Sequence, residues 1–211
     1  MQFRRTWTYR QWEKLALRLS DHVDVDGLWV GVLDTGGNEK AILERTRRAL
    51  ELIKRHDPYR YRLVLAEIRR LWVYPLPGDR SQWVAEDKRC MLDPRVVLGE
   101  PIEQVAASLV HAAMNARIVR YEVPAGDYVR RQRIARACMQ QEILFAKHLP
   151  DAVQLTEWID ARIAAPADFW ADRSFRDRHA QGERELANYA GIPGWAMKTA
   201  HAVRRVSAWM R

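Results

Sequence analysis

A chain of 211 residues, 48% hydrophobic and 29% charged, is long enough to bury a core as one domain and too apolar for a disordered polymer. No run approaches the ~20 apolar residues of a membrane-spanning helix, and the two cysteines, Cys90 and Cys138, form neither a disulfide framework nor a metal knuckle. The net charge of +8 is mostly arginine, spread in pairs such as Arg47-Arg48, Arg69-Arg70, Arg130-Arg131 and Arg204-Arg205. That spread suits solvated helix faces and does not favour a nucleic-acid partner, which needs the charge gathered on one surface.

The first residues, Met-Gln-Phe-Arg-Arg-Thr-Trp, lead into no hydrophobic run, so a secretory signal is not expected and a cytoplasmic location is. A short helix is predicted around residues 9–20. His22, Asp24 and Asp26 alternate with valines and could be taken for metal ligands, but Asp24-Val-Asp-Gly27 is a turn pattern ahead of a strand. The strand predicted over 28–33 closes at Asp34-Thr-Gly-Gly37, which lacks the Lys-Ser/Thr of a phosphate loop. Asn38 is the predicted N-cap of an amphipathic helix over 40–56, with Ile42, Ala49, Leu50 and Ile53 inward. Asp57-Pro58 ends it. A second helix is predicted over 59–72, a turn over 75–78, and an extended edge segment over 81–92. Asp93-Pro94 halts that segment, and Pro101 is placed at the first position of the next helix.

That helix, over 104–118, carries small and apolar residues on nearly every side, broken by His111 and Asn115. Four residues apart, the two project from one face. After a loop at 121–126, a long helix is predicted over 127–148. Its stripe of Ile134, Cys138, Glu142, Phe145 and Leu149 puts a carboxylate on an apolar face, where it needs a partner. His111 and Arg117 are the candidates. A helix over 151–164 turns Leu155, Trp158 and Ile159 inward; residues 168–182 are densely charged, 183–189 are taken as helical, and an amphipathic helix is predicted over 195–211. The whole reads as α+β, predominantly helical, with a small sheet.

The segment Ser108-Leu-Val-His-Ala-Ala-Met-Asn-Ala-Arg-Ile118 resembles a group of small bacterial zinc metallopeptidases, whose helix reads Leu-Val-His-Glu-x-x-His-Ala-Arg-Ile. Arg47-Arg-Ala-Leu-Glu-Leu-Ile-Lys-Arg-His-Asp-Pro58, Cys90-Met-Leu-Asp-Pro94 and the helix from Ala137-Cys138 to Leu149-Pro150 extend the likeness over about 40–150. The resemblance implies a zincin-like helical core with a small mixed or antiparallel sheet over 1–150, and a C-terminal helical extension over 151–211 packed on it. By position, His111 matches the first zinc-binding histidine. Ala112 falls at the general-base glutamate and Asn115 at the second histidine. In the glutamate-type branch the third ligand comes from the next helix, where Glu142 is the candidate and Ala135 marks the alternative position.

A catalytic zinc needs three protein ligands and an open position for water. His111 and Glu142 make two, and an asparagine amide is a poor substitute for imidazole. Without a carboxylate at 112, general-base catalysis worth ~100- to 10,000-fold is lost as well. Zinc peptidase activity is therefore not expected, no cofactor is expected, and any residual zinc would be weak. The leading expectation is a metallopeptidase-like pseudoenzyme that keeps a cleft for a peptide or small-molecule ligand. Two alternatives stand beside it. One is a repurposed, metal-independent enzyme using His111 as acid or base, oriented by Glu142, with Asn115 on the substrate. The other is a basic nucleic-acid-binding module.

Overall fold

The computed structural model describes residues 14–34, 36–76, 80–119, 127–166, 169 and 171–189. The fold is α+β and predominantly helical, built on one mixed five-stranded sheet. A helical stretch at 14–19 leads into β1 (Asp21–Val25) and β2 (Leu28–Val32), an antiparallel hairpin. Its two-residue turn, Asp26 at φ 52° and Gly27 at φ 85°, is left-handed throughout, the geometry that matches the twist of paired strands. The turn read over 24–27 falls at Asp26 and Gly27, and His22 and Asp24 lie on the exposed edge strand β1. Gly31 of β2 makes room for Trp29, whose indole folds over it so closely that a Cβ there would lie 2.0 Å from the ring and would displace it.

Helix α1 (Glu39–His56) buries Ile42, Ala49, Leu50 and Ile53, as its periodicity predicts. Asn38 holds the N-cap position but makes no capping bond; its amide donates to Asp34 Oδ2 at 3.3 Å and to the Gly36 carbonyl at 3.2 Å. Helix α2 (Pro58–Glu67) is capped instead by Asp57, whose side chain accepts from the Arg60 backbone N–H. The helix predicted over 59–72 is corrected here. It stops at Glu67, Ile68 turns extended, and Arg70–Val73 form β3. Because β3 is flanked on both sides by parallel neighbours and buried on both faces, Leu71-Trp72-Val73 shows no alternation, and a continuous apolar run passes for the end of a helix.

The single edge segment predicted over 81–92 is also corrected. It is two antiparallel strands, β4 (Ser81–Val84) and β5 (Arg89–Leu92), separated by a 3-10 turn at Ala85–Asp87 and by Lys88 at φ 47°. In the order β1-β2-β3-β5-β4, β5 lies inside the sheet, and of these two strands β4 is the one at an edge. Helices α3 (Pro94–Gly99), α4 (Ile102–Ile118), α5 (Tyr128–Ala146), α6 (Val153–Ile163) and α7 (Asp172–Tyr189) follow. Pro101 is the N-cap of α4 and not its first residue. The charged stretch expected ahead of 183 is helical from 172. A helix this polar rests on pairs such as Gln181–Glu185 at 2.9 Å, four residues apart. Residues 1–13, 77–79, 121–126 and 195–211, where parts of the N-terminal helix and turn, the loop and the last helix were predicted, lie outside the described residues.

Helices α1, α2, α4, α5 and α6 cover one sheet face. Leu71, Val73, Cys90 and Leu92 point from β3 and β5 into a core shared with α1, α2, α4 and α5, and Leu155 and Ile159 of α6 belong to the same core. Trp72, Met91 and Val84 point the other way and pack with Ala16 and Leu76. Helix α4 sits inside the helical layer, with Val105, Ala106, Ala107, Leu109, Val110, Ala112, Ala113 and Ala116 buried. Among the described residues, no helix is long and apolar enough to cross a membrane.

Candidate functional site

The small side chains of α4 let α5 approach closely, and the polar residue on each contact face meets the other. His111 Nδ1 lies 2.5 Å from Glu142 Oε1. Glu142 is fully buried and His111 is 19% exposed. Burying a carboxylate costs several kcal/mol unless it is paired and hydrogen-bonded, and the imidazole does only part of that. The rest comes from a residue that the sequence reading did not single out. Arg162 of α6 donates to Glu142 through both ends of its guanidinium, Nη1 to Oε2 at 2.6 Å and Nη2 to Oε1 at 3.2 Å. Arg117, the other predicted partner, is exposed. A signal for Arg162 existed: it stands four residues after Trp158 and three after Ile159, both on the inward stripe of their helix.

Packing holds the guanidinium from its other side. Arg162 lies over the Trp158 ring at 4.2 Å, Arg80 lies over the same ring at 5.0 Å, and Arg80 Nη1 is bonded to Glu100 Oε1 at 2.7 Å. Each cation is thus set between a glutamate and one shared indole. One turn before Glu142, burial pushes the Cys138 thiol up to about 12, with the negative charge of Glu142 adding to the effect and Arg162 opposing it. A thiol so poorly ionised is no nucleophile.

Of the predicted site residues, His111 and Glu142 are brought together. Asn115 is half-buried one turn beyond His111, and among the described residues its side chain makes no hydrogen bond. Ala112 is buried in the core and Ala135 packs against it, so neither position offers a polar group. The cluster does not fit a zinc ion. Two candidate ligands converge, both oxygens of the one carboxylate are taken, and a guanidinium stands where a cation would bind. Among the described residues, no three His, Cys, Asp or Glu side chains gather at one point. A hollow of ≈ 410 Å³ runs along α5, lined by Val129, Gln132, Arg133, Arg136, Ala137 and Gln140, and includes none of the cluster.

What the cluster can do follows from its bonds. A carboxylate that accepts from Arg162 can accept from His111 Nδ1 as well, and in the tautomer that donates from Nδ1 the Nε2 nitrogen is left to accept, on a partly exposed side chain. No family model, curated protein or solved structure matches the chain.

Proposed function

We propose that this chain is a metallopeptidase-like scaffold that binds a peptide or small molecule at its central helix without metal-dependent hydrolysis. One observation carries the reading: both oxygens of Glu142 are committed to His111 and Arg162. The carboxylate that α5 turns toward α4 is therefore unavailable as a general base, and Ala112 and Asn115 supply neither base nor imidazole. The resemblance of 108–118 to the peptidase helix accounts for a histidine and a small-residue helix packed against a glutamate-bearing one. Cys90 and Cys138, both free and buried, agree with a reducing cytoplasm. The test is hydrolysis of casein and of a mixed peptide library by the purified protein, with zinc added and with chelator. Cleavage that requires zinc and disappears in Glu142→Gln would overturn the proposal.

A second reading is favoured by the side of the imidazole that Glu142 takes. A carboxylate on Nδ1 fixes the tautomer and leaves Nε2 as a base, as in hydrolytic triads. In this reading His111 moves a proton on a bound substrate, and Asn115, one turn away, donates to it. Nitrogen NMR of the labelled imidazole decides: a proton on Nε2 in the resting protein would sink this alternative.

A further inference from the structure

The buried carboxylate of Glu142 requires a cation, and the structure assigns that role to a residue beyond the central helices. We propose that Arg162 is the resident cation of the His111–Glu142 site, and that it, more than the missing ligands, keeps divalent metal out. Three features support this. The guanidinium bonds both carboxylate oxygens, so an ion approaching either must displace a nitrogen at 2.6 or 3.2 Å. Glu142 Oε1 is shared between Arg162 Nη2 and His111 Nδ1, so the cation already stands at the junction of the two candidate ligands. The position of the guanidinium is also set independently of the carboxylate, by the Trp158 ring at 4.2 Å, which is itself held from Arg80. A fixed monovalent cation offers a carboxylate planar, bidentate bonds and leaves no open coordination position, so it stabilises the fold without Lewis-acid chemistry. Exchange for a metal would have to take Arg162 off its ring as well as off its carboxylate.

The test adds a ligand with and without the guanidinium. Zinc binding is measured by calorimetry and by metal content after dialysis, for the natural protein, Asn115→His, Asn115→His/Arg162→Ala and Asn115→His/Arg162→Met. The proposal expects no stoichiometric zinc on the natural protein or on Asn115→His. Both double variants should bind one zinc, roughly ten-fold or more tightly than Asn115→His, because the competing positive charge is gone. Their melting temperatures should rise with zinc and fall with chelator. Stoichiometric zinc on Asn115→His, or folded double variants that bind no more than it does, would overturn the proposal. The methionine variant keeps an apolar arm on Trp158. If neither double variant folds unaided, refolding in zinc against chelator reads the same point: recovery in zinc alone supports the proposal, and equal recovery or equal failure overturns it. Zinc on Asn115→His with none on the natural protein would overturn this proposal and leave the proposed function standing. Chelator-resistant peptide cleavage by the natural protein would replace the binding scaffold by an enzyme and leave this proposal standing, and zinc-dependent cleavage would overturn both.

Discussion

Glu142 and Arg162 meet as fork and fork, with nitrogen-to-oxygen distances of 2.6 and 3.2 Å, on a carboxylate with no solvent exposure. The pair joins α6 to α5, and through His111 to α4. Removing one partner of such a pair leaves an uncompensated charge, at a cost of about 3–5 kcal/mol when both are buried. Arg162 is 30% exposed and His111 remains on the carboxylate, so Arg162→Ala should fall near the low end, about 3 kcal/mol. Urea unfolding measures it. A cost below about 1 kcal/mol, the size of an exposed pair, would mean that Glu142 is satisfied without Arg162.

A second buried carboxylate organises the joint between α1 and α2. Asp57 Oδ1 caps α2 through the Arg60 N–H at 3.0 Å, while its Oδ2 takes Arg60 Nη1 at 2.5 Å and lies 3.0 Å from His148 Nδ1, just past α5. Asp57→Asn keeps an N-cap acceptor and loses the ion pairs; Asp57→Ala loses both. Asp57→Ala should therefore be the less stable of the two by about 1 kcal/mol, the usual worth of a cap. Equal losses in a denaturant series would show that the cap contributes nothing.

The Trp72 indole N–H donates to Ser20 Oγ at 2.9 Å, and the Ser20 hydroxyl donates in turn to the Ala16 carbonyl at 2.8 Å. Trp72 is 1% exposed, so Ser20→Ala strands a buried donor and should cost about 1–3 kcal/mol. Ser20→Ala combined with Trp72→Phe removes both polar partners, and its loss should be smaller than the sum of the two single losses. Strict additivity in thermal melts would contradict the coupling.

Burial pushes the thiols of Cys90 and Cys138 up to about 12. A raised folded-state value means that the native protein holds these protons more tightly than the unfolded chain. This stabilisation is fully present below the unfolded thiol value, about 8.5, and is lost as pH rises from there through about 12. Both thiols should thus stay unreactive toward a disulfide reagent at pH 8 in the folded protein and react promptly once urea unfolds it. Fast reaction of either thiol under native conditions would contradict its burial.

Much of the architecture is legible along the chain where periodicity and punctuation are local. The stripe of α1, the Asp57-Pro58 break, the turn at Asp26-Gly27 and the small-residue α4 can each be read from neighbouring residues. Strand β3 cannot, because a strand covered on both faces loses its alternation. The two strands within 81–92 cannot either, because the residue that divides them is Lys88 in a left-handed conformation, where no glycine marks the turn.

The candidate site divides in the same way. The sequence alone determined that Glu142 lies on an apolar helix face and needs a partner, with His111 and Arg117 as candidates, because helical spacing fixes which side chains share a face. It also determined that residues 112 and 115 carry neither base nor imidazole. Only the tertiary structure decided which cation satisfies the carboxylate. Arg162 lies 20 residues further on, in a separate helix, and its bond to Glu142 exists only because Leu155 and Ile159 dock α6 into the common core and Trp158 holds the guanidinium in place.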